Sequence, residues 1–550
     1  MKKLLLSLVL TMAMSVVLLA GCSKSSGSSG GNSAPSETKA EVAANGNSAP
    51  SETKAEVAAE NAETEAMQSG NDNSGRQLKV GIAMDITALD PQLSHNNSSV
   101  NVYNQIFDTL TIMDQNNEVQ PWLAESWEYR DETTVAFKIR DGVKFSDGTD
   151  LTAEDVKFTI DRVLASPHVS YVLEFIKKTE VEDGNIVVCY MDEPFAALLA
   201  HFSVPYTGIV EKSACEADEE AFHQKPIGSG AYMLNEWKPG ESIVLDANPY
   251  YWGGDVDVKS VKFIVMPENS QRLMALESGD IDVAYDISPN DVSKVESNDS
   301  LVAYTAESAA VYFIAFNEEK ETPLKDVNVR LAIDHAINRE EIIDAVAYGN
   351  GSPANGAAPP TCIGYPKDLE PVSYDLDLAK EYLAKSAYPD GCEFTIVTYD
   401  NAILTECANI IQNQLEKIGI KANIDIQEYA TVIAGLNDKG YDAFLSRWTT
   451  DTADMAYTAS AMLVTGMTPY EGNMAIYSDP KCDELVNKAQ TNLDPASRVK
   501  DYDELFSYVN ATAPYTWIYF PHNAAATTKE ISGFVINPNH GHQIRLIKWN

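Results

Sequence analysis

The chain has 550 residues, 44% of them hydrophobic, and carries a formal net charge of −41 at pH 7. This length allows two or three domains with sizeable cores, while the acidic balance excludes nucleic acid and anionic membrane surfaces as partners. The acidity fits a well-solvated surface outside the cell, and more weakly it favours cationic solutes.

The N-terminus has the layout of a secretory signal peptide. Two lysines are followed by an apolar run from residue 4 to residue 20, and then by Gly21-Cys22. Residues 19–22 resemble a bacterial lipobox, in which the cysteine receives acyl chains such as palmitate and becomes the mature N-terminus. We therefore predict a signal peptide over residues 1–21 and a lipid on Cys22 that holds the protein at the outer face of the cytoplasmic membrane. An uncleaved signal anchor is the alternative, because the run is at the lower edge of what spans a bilayer.

Residues 22–76 are predicted to form a disordered tether. They hold almost no large apolar side chain, so they cannot bury enough surface to offset the entropy of ordering. A 15-residue polar stretch that begins at Gly31 recurs almost unchanged from Gly46, which is typical of a spacer rather than a solenoid. A helical stalk is the alternative, although Pro35 and Pro50 would interrupt it.

The first half of the remaining chain mixes strands with a few helices. Residues 77–83 alternate as a strand, and apolar spacing predicts an amphipathic helix that runs through Val102 to Leu110. Hairpin-like strands follow, and Thr152 with two acidic residues predicts the start of the next helix. A helix over 268–277 and a strand over 281–284 complete this half.

The second half alternates helices and strands. We predict helices over 328–347, 377–385 and 404–418, and buried strands over 394–398 and 422–426. A strand, a helix and a strand of these lengths form a parallel crossover unit, so this half is α/β. Residues 515–549 return to strands.

No catalytic or cofactor motif is present in the sequence. Residues 77–550 contain no Gly-x-Ser-x-Gly elbow and no His-Glu-x-x-His, and Gly228-Ser229-Gly230 lacks the lysine of a phosphate cradle. His540 and His542 are one residue apart, a spacing more typical of plain strand residues than of a metal site. Six cysteines beyond Cys22 are far apart without a Cys-x-x-Cys pair, so disulfides and buried free thiols both stay open. We predict no enzyme activity, no cofactor and no metal.

Eight motifs follow one another in a fixed order along the chain. They are Ile106-Phe107-Asp108-Thr109-Leu110, Pro121 to Trp127, Phe137 to Gly148, Thr152 to Phe158, Pro226 to Tyr232, Asn248 to Gly254, Ser278 to Asp282 and Asp326 to Ile333. In this order they resemble one family, the extracytoplasmic solute-binding proteins of the dipeptide, oligopeptide and nickel class of ABC importers, family 5. The resemblance covers residues 77–550.

The resemblance implies an α/β fold of the type II periplasmic-binding-protein kind, a two-lobed Venus flytrap with an extra domain inserted in the first lobe. We assign residues 77–112, 226–317 and 518–550 to the first lobe, 113–225 to the extra domain and 318–517 to the second lobe. A monomer is expected.

The resemblance also implies the function and its residues. Family members close over a peptide or another small solute, hold peptides as an added strand and deliver them to permease subunits. Residues 446–451 look like the segment whose aspartate pairs with a peptide α-ammonium, which gives that role to Asp451. Trp448 and Thr449 would supply an aromatic wall and backbone pairing, and Arg447 could bind a ligand carboxylate.

Two departures from the family pattern bear on the ligand. Asp454 is followed by Met455 where members have proline, and no arginine follows the strand that ends near Thr398, where dipeptide specialists carry one. The sequence therefore favours oligopeptides or differently anchored ligands over strict dipeptides. A sugar or metal chelate on the same fold, or a surface adhesin or sensor, are the alternative functions.

Overall fold

The structure, a computed structural model, describes residues 75–550 except residues 95, 115 and 540. The predicted signal peptide, Cys22, the tandem repeat and His540 lie outside the described residues. Within the described part of the chain, no helix combines the length and the apolar character that crossing a membrane requires.

Strands occupy both halves of the described chain. They are β1 Gln77–Ile82, β2 Thr111–Met113, β3 Val119–Pro121, β4 Ala124–Asp131, β5 Thr134–Ile139, β6 Ile176–Glu182, β7 Ile186–Met191, β8 Tyr232–Lys238, β9 Ser242–Ala247, β10 Ser260–Val265, β11 Val283–Ala284, β12 Leu301–Glu307, β13 Ala310–Phe316, β14 Gly351–Pro353, β15 Glu393–Tyr399, β16 Lys421–Gln427, β17 Ala443–Thr449, β18 Tyr515–Thr528, β19 Ile531–Ser532 and β20 Lys548–Trp549.

The longer helices concentrate in the second half. The α-helices are α1 Asn97–Tyr103, α2 Ala153–Ala165, α3 Leu198–His201, α4 Lys212–Ala217, α5 Glu219–Gln224, α6 Asn269–Ser278, α7 Val292–Glu296, α8 Val327–Ala336, α9 Arg339–Ala347, α10 Leu376–Lys385, α11 Ala402–Glu416, α12 Tyr429–Gly435, α13 Met455–Leu463, α14 Pro480–Thr491 and α15 Pro495–Thr512.

Twelve strands form one continuous sheet of mixed direction. Ten follow one another in the order β16-β15-β17-β13-β18-β11-β1-β10-β9-β8, and β12 and β14 also pair with β18. The predicted crossover unit is confirmed, because β15 and β16 are parallel neighbours joined by α11. Alternating residues of β13 point to two cores, with Val311 and Phe313 on one face and Ile314 and Phe316 on the other.

One strand, β18, joins two halves of this sheet, one that contains β13 and β14 and one that contains β11 and β12. Its residues 515–521 pair with β13 and β14, and its residues 522–528 pair with β12 and β11. β12 and β13 follow each other in the chain with only residues 308–309 between them. The chain therefore crosses between the halves at two adjacent places, along β12–β13 and within β18.

A second, four-stranded sheet has the order β4-β5-β7-β6 and is antiparallel throughout. Helix α2 packs beside it and begins as the sequence predicts. Thr152 is its N-cap, and the Asp155 carboxylate accepts a hydrogen bond from the Thr152 backbone N–H at 2.9 Å. The residue limits of the lobes and of the extra domain stay predictions.

Two of the predicted helices differ from the structure. The prediction of a helix that reaches Leu110 is wrong, because α1 ends at Tyr103 and the carbonyls of Gln105 and Ile106 instead accept bonds from the backbone of Tyr232 and Gly230. The predicted single helix over 328–347 is two helices, α8 and α9. Asn338 begins the second one, and its backbone N–H donates to the side chain of Gln414 at 3.0 Å.

Two strand predictions are only partly correct. The strand predicted over 281–284 is confined to Val283–Ala284. Among the described residues after 514, β18 is long and two short strands, β19 and β20, follow it.

The buried carboxylate of Asp108 joins four of the motifs that carry the family resemblance. It accepts hydrogen bonds from the indole N–H groups of Trp122 and Trp252, at 2.8 and 2.9 Å, and from the Ser229 hydroxyl at 3.0 Å. The two indole rings meet edge to face at 4.7 Å. Burial raises the pKa of Asp108, and the three hydrogen bonds oppose that shift.

The glycines of residues 228–230 allow this arrangement. A Cβ at Gly228 would lie 2.1 Å from the carbonyl oxygen of Ile106, and one at Gly230 would lie 2.5 Å from that of Gln105. The bend is therefore a packing element between two backbone segments, because any larger residue would push the segments apart.

We expect Asp108→Ala to lower the free energy of unfolding by about 3 kcal/mol, because one buried donor, the Ser229 hydroxyl, and two partly buried indole N–H groups lose their acceptor at roughly 1–3 kcal/mol each. Urea denaturation monitored by circular dichroism measures the loss. The exposed residue Asp344, changed to alanine, is the control and should shift the value by less than about 0.5 kcal/mol. An unchanged unfolding midpoint for Asp108→Ala would contradict the role given to the carboxylate.

Candidate functional site

Asp451 lies in the turn that follows β17, where it contacts residues from the first half of the chain. The Tyr171 hydroxyl donates a hydrogen bond to Asp451 Oδ2 at 2.9 Å, although the two residues are 280 positions apart. Tyr206 also hydrogen-bonds this carboxylate, and the Asn539 side-chain amide donates to the Asp451 backbone carbonyl at 3.2 Å. Asp451 is therefore held by residues from three separate parts of the chain.

Four tyrosines surround the Asp451 carboxylate. Burial first, and the charge of Asp451 second, raise the pKa of Tyr103, Tyr171, Tyr206 and Tyr457 well above its usual value. Their hydroxyls stay neutral at physiological pH, so each can donate one hydrogen bond and accept another. Tyr171 and Tyr206 hydrogen-bond Asp451, whereas the Tyr103 hydroxyl donates to the Ser94 carbonyl at 2.9 Å.

A buried ion pair fixes the position of this turn. Arg498 on α15 makes two hydrogen bonds with Asp454, at 2.8 and 2.5 Å, and both side chains are almost completely buried. The same carboxylate caps α13 by accepting from the Ala456 backbone N–H at 2.8 Å. Thr450 joins the turn to the neighbouring segment, because its N–H donates to the Ala309 carbonyl at 2.7 Å. Asp451 is thus presented by a rigid support.

An aromatic series leads from Trp448 towards Asp451. Trp448 stacks on Tyr457 with ring centroids 5.7 Å apart, and Tyr457 stacks on Tyr171 at 5.3 Å. The Trp448 indole N–H donates to the Thr458 hydroxyl at 3.0 Å, which fixes the ring. The structure therefore brings Trp448 and Asp451 into one group, together with tyrosines.

The pleat of β17 places Arg447 and Thr449 on the opposite face from Trp448. Arg447 is the ladder partner of Tyr312, and its charge lowers the pKa of Tyr399, although burial raises that pKa overall. Among the described residues, Arg447 forms no ion pair. The four predicted ligand-binding residues are therefore near in the chain but divided between two faces, and their roles stay predictions.

Asp451 also lines a cavity of about 300 Å³. Its wall includes Asp108, Trp122 and Arg545, and the guanidinium of Arg545 lies over the Trp122 ring at 4.6 Å. A second cavity, of about 570 Å³, is lined by Tyr171 and Tyr457. The stacked tyrosines Tyr171 and Tyr457 therefore line the second cavity, and they also pack around the Asp451 carboxylate, which lines the first cavity.

Two further contacts join residues 171–201 to the helices of the second half. The Ala196 backbone N–H donates to the Gln490 carbonyl at 2.9 Å, and the Asn487 amide donates to Glu193 at 3.2 Å. Together with the Tyr171–Asp451 bond, they connect this part of the first half to the second half of the chain.

Neither metal nor disulfide chemistry is found in the described residues. No group of three or more His, Cys, Asp or Glu side chains there is placed to hold a metal ion. His542 is buried and its Nδ1 accepts from the Asn537 backbone N–H at 3.0 Å. The six described cysteines are free thiols, five of them buried, which decides between the two states that the sequence left open.

Sequence reasoning missed Tyr103, Tyr171, Tyr206 and Tyr457. They come from four separate segments, and the sequence offers no spacing that links them, since the chain has 26 tyrosines. Apolar periodicity marks Tyr103 as a core residue, which it also is.

The chain is similar in sequence to known solute-binding proteins. Residues 118–468 match the model of the bacterial extracellular solute-binding proteins, family 5 middle. The chain is 28% identical over 507 residues to the oligopeptide-binding protein AppA of Bacillus subtilis (strain 168), a match that covers 86% of this chain and 91% of AppA. It is 26% identical over 482 residues to the glutathione-binding protein GsiB of Escherichia coli (strain K12), covering 85% and 93%.

Solved structures share the fold. AppA of Bacillus subtilis in complex with a nonapeptide aligns with a TM-score of 0.71 at 27% identity, covering 86% of this chain and 99% of AppA. The ABC transporter-associated periplasmic binding protein DppA of Helicobacter pylori in complex with the peptide STSA aligns at 0.72 and 26%, covering 86% and 98%. The predicted two-lobed α/β fold of type II is confirmed.

We expect His201 to make folding sensitive to acid. Burial lowers the pKa of His201 to about 4. Between pH 6.5 and pH 4, His201 is therefore protonated in the unfolded chain and neutral in the folded chain. The free energy of unfolding keeps its full value above pH 6.5 and falls by roughly 3 kcal/mol as the pH is lowered to 4. Urea unfolding from pH 7 to pH 4 should show this loss in the wild type relative to His201→Gln. Parallel curves for the two proteins would contradict the prediction.

Proposed function

We propose that this chain, which belongs to the family 5 bacterial extracellular solute-binding proteins, captures peptides and delivers them to the permease of an ABC importer. The observation that carries the proposal is the Asp451 carboxylate, which neutral tyrosines enclose where two distant parts of the chain meet. The named ligands of the relatives support a peptide, since AppA is an oligopeptide-binding protein and was solved with a nonapeptide.

The chemistry of this enclosure suits a peptide α-ammonium. An ammonium group has three N–H donors, and Asp451 supplies a charged acceptor while the hydroxyl oxygens of Tyr171 and Tyr206 supply neutral ones. Because these tyrosines are neutral and buried, the site offers a negative charge in a partly dehydrated space, where a charge-assisted bond is strong. A ligand bound here contacts both halves and favours their closed arrangement.

The remaining predicted residues fit the rest of a peptide. Trp448 and the ring of Tyr457 provide an aromatic wall beside the anchor. The backbone around Thr449 would pair with the ligand as an added strand. On the other face, Arg447 has no ionic partner among the described residues, and we assign it to a ligand carboxylate.

We also propose that a lipid on Cys22 anchors the protein at the outer face of the cytoplasmic membrane. The extracellular character of the family supports a location beyond that membrane, and the lipobox-like residues 19–22 supply the attachment point. With about 50 tether residues, the root-mean-square reach is roughly 40 Å. This range lets a monomeric binding domain search for solute and still dock on the permease.

We expect Asp451→Asn to weaken binding of an oligopeptide by about 10- to 100-fold, because a charge-assisted hydrogen bond contributes roughly 1.5–3 kcal/mol. Isothermal titration calorimetry measures the change. An N-acetylated form of the same peptide should bind the wild type as weakly as the free peptide binds the variant.

Asp344→Asn is the matched control, because Asp344 is an exposed aspartate of α9 and its loss changes the net charge equally. If Asp451→Asn binds the free peptide as well as this control does, the ammonium anchor is wrong. If no peptide in a library binds the wild type, the peptide function itself is wrong.

We expect Cys22→Ser to release the protein from membranes into the soluble extracytoplasmic fraction, because the acyl chains supply the anchoring energy. Cell fractionation and metabolic labelling with a palmitate analogue report the location and the lipid. Label that persists in Cys22→Ser would contradict the assignment.

A further inference from the structure

The larger cavity, of about 570 Å³, has a wall rich in hydrogen-bond acceptors. Three carboxylates line it, those of Glu174, Asp192 and Glu193. Among the described residues that line it, Lys177 is the only cation. Its ammonium lies 3.9 Å from Asp192, and its side chain is 53% exposed. Neither Glu174 nor Glu193 forms an ion pair with a described residue, so the cavity keeps an excess of negative charge.

A buried histidine adds one more acceptor. His201 lines the cavity and is only 2% exposed. Its Nδ1 lies 2.6 Å from the Val172 carbonyl oxygen, so the ring proton is on Nδ1 and donates to that carbonyl. Nε2 is then an acceptor, and it has no hydrogen-bond partner among the described residues. A buried acceptor without a partner is costly, and a donor from a ligand would satisfy it.

The aromatic part of the wall suits an organic cation. Phe175 stacks on Phe195 at 4.2 Å, and Tyr171 stacks on Tyr457 at 5.3 Å. Aromatic faces attract an ammonium or a guanidinium and also pack against the apolar stem that carries it. A bare metal ion would not use these rings, and the described residues hold no cluster able to ligate one.

We propose that this cavity receives the lysine or arginine side chain of a bound peptide. The inference rests on the proposed function, because it takes the peptide α-ammonium to be held at Asp451. Tyr171 lines the cavity and donates to Asp451, so one tyrosine side chain separates the cavity from the anchor. A long cationic side chain near the peptide N-terminus spans that separation, and the site selects peptides that carry one.

Calorimetry with matched tetrapeptides tests the proposal. Each peptide carries lysine at one of its first three positions, and its partner carries norleucine there, which keeps the stem and removes the charge. We expect lysine to be preferred by about tenfold or more at one position, as a charge-assisted contact gives. In Glu174→Gln/Glu193→Gln the preference should fall below about threefold, while affinity for the norleucine peptides stays unchanged.

The control is Glu406→Gln/Glu416→Gln, which removes two exposed carboxylates of α11 and changes the net charge equally. It should keep the wild-type preference for lysine. Equal binding of lysine and norleucine peptides by the wild type would overturn this inference and leave the peptide function intact. A preference that persists in Glu174→Gln/Glu193→Gln would also overturn it. Failure of every peptide to bind would overturn the proposed function and this inference together.

Discussion

The pairing of one strand with both halves of the main sheet is the constraint on which the rest of the structure depends. β18 completes a ladder with β13 and β14 through its first seven residues and with β12 and β11 through its last seven. Every backbone bond in these ladders resists separation of the halves. The ladders therefore leave bending at the two adjacent crossings, β12–β13 and the middle of β18, as the way in which the halves can move. The solute binding that we propose would act on this limited motion.

Two buried carboxylates, Asp108 and Asp454, hold together chain segments that lie outside the main sheet. Asp108 gathers three donors from separate segments, and Asp454 both pairs with Arg498 and caps α13. Four of the motifs that carry the family resemblance are thus packing elements around Asp108. They are recognisable in sequence because a buried carboxylate needs its donors and a close backbone contact needs glycine, whatever the ligand is.

The ligand recognition that we propose depends instead on residues outside those motifs. Neutral tyrosines enclose Asp451, and the two stacked tyrosines among them also form the wall of the larger cavity. Tyrosine suits this position because its ring packs like a core residue while its hydroxyl can either donate or accept. Relatives with different named ligands share this framework, and in this chain we propose that the enclosing side chains set which solute fits.

Periodicity and ordered motifs in the sequence were sufficient to predict the α/β class, the crossover unit of β15, α11 and β16, and the family. Asp451 and Trp448 could be singled out because residues 446–451 resemble a segment of the family. Tertiary structure alone decided that the helix after residue 97 ends at Tyr103, and that Tyr103, Tyr171 and Tyr206 gather around Asp451 from more than two hundred residues away. The physical reason is that spacing encodes contacts within an element, whereas these features depend on segments brought together across more than a hundred residues, for which local spacing carries no signal.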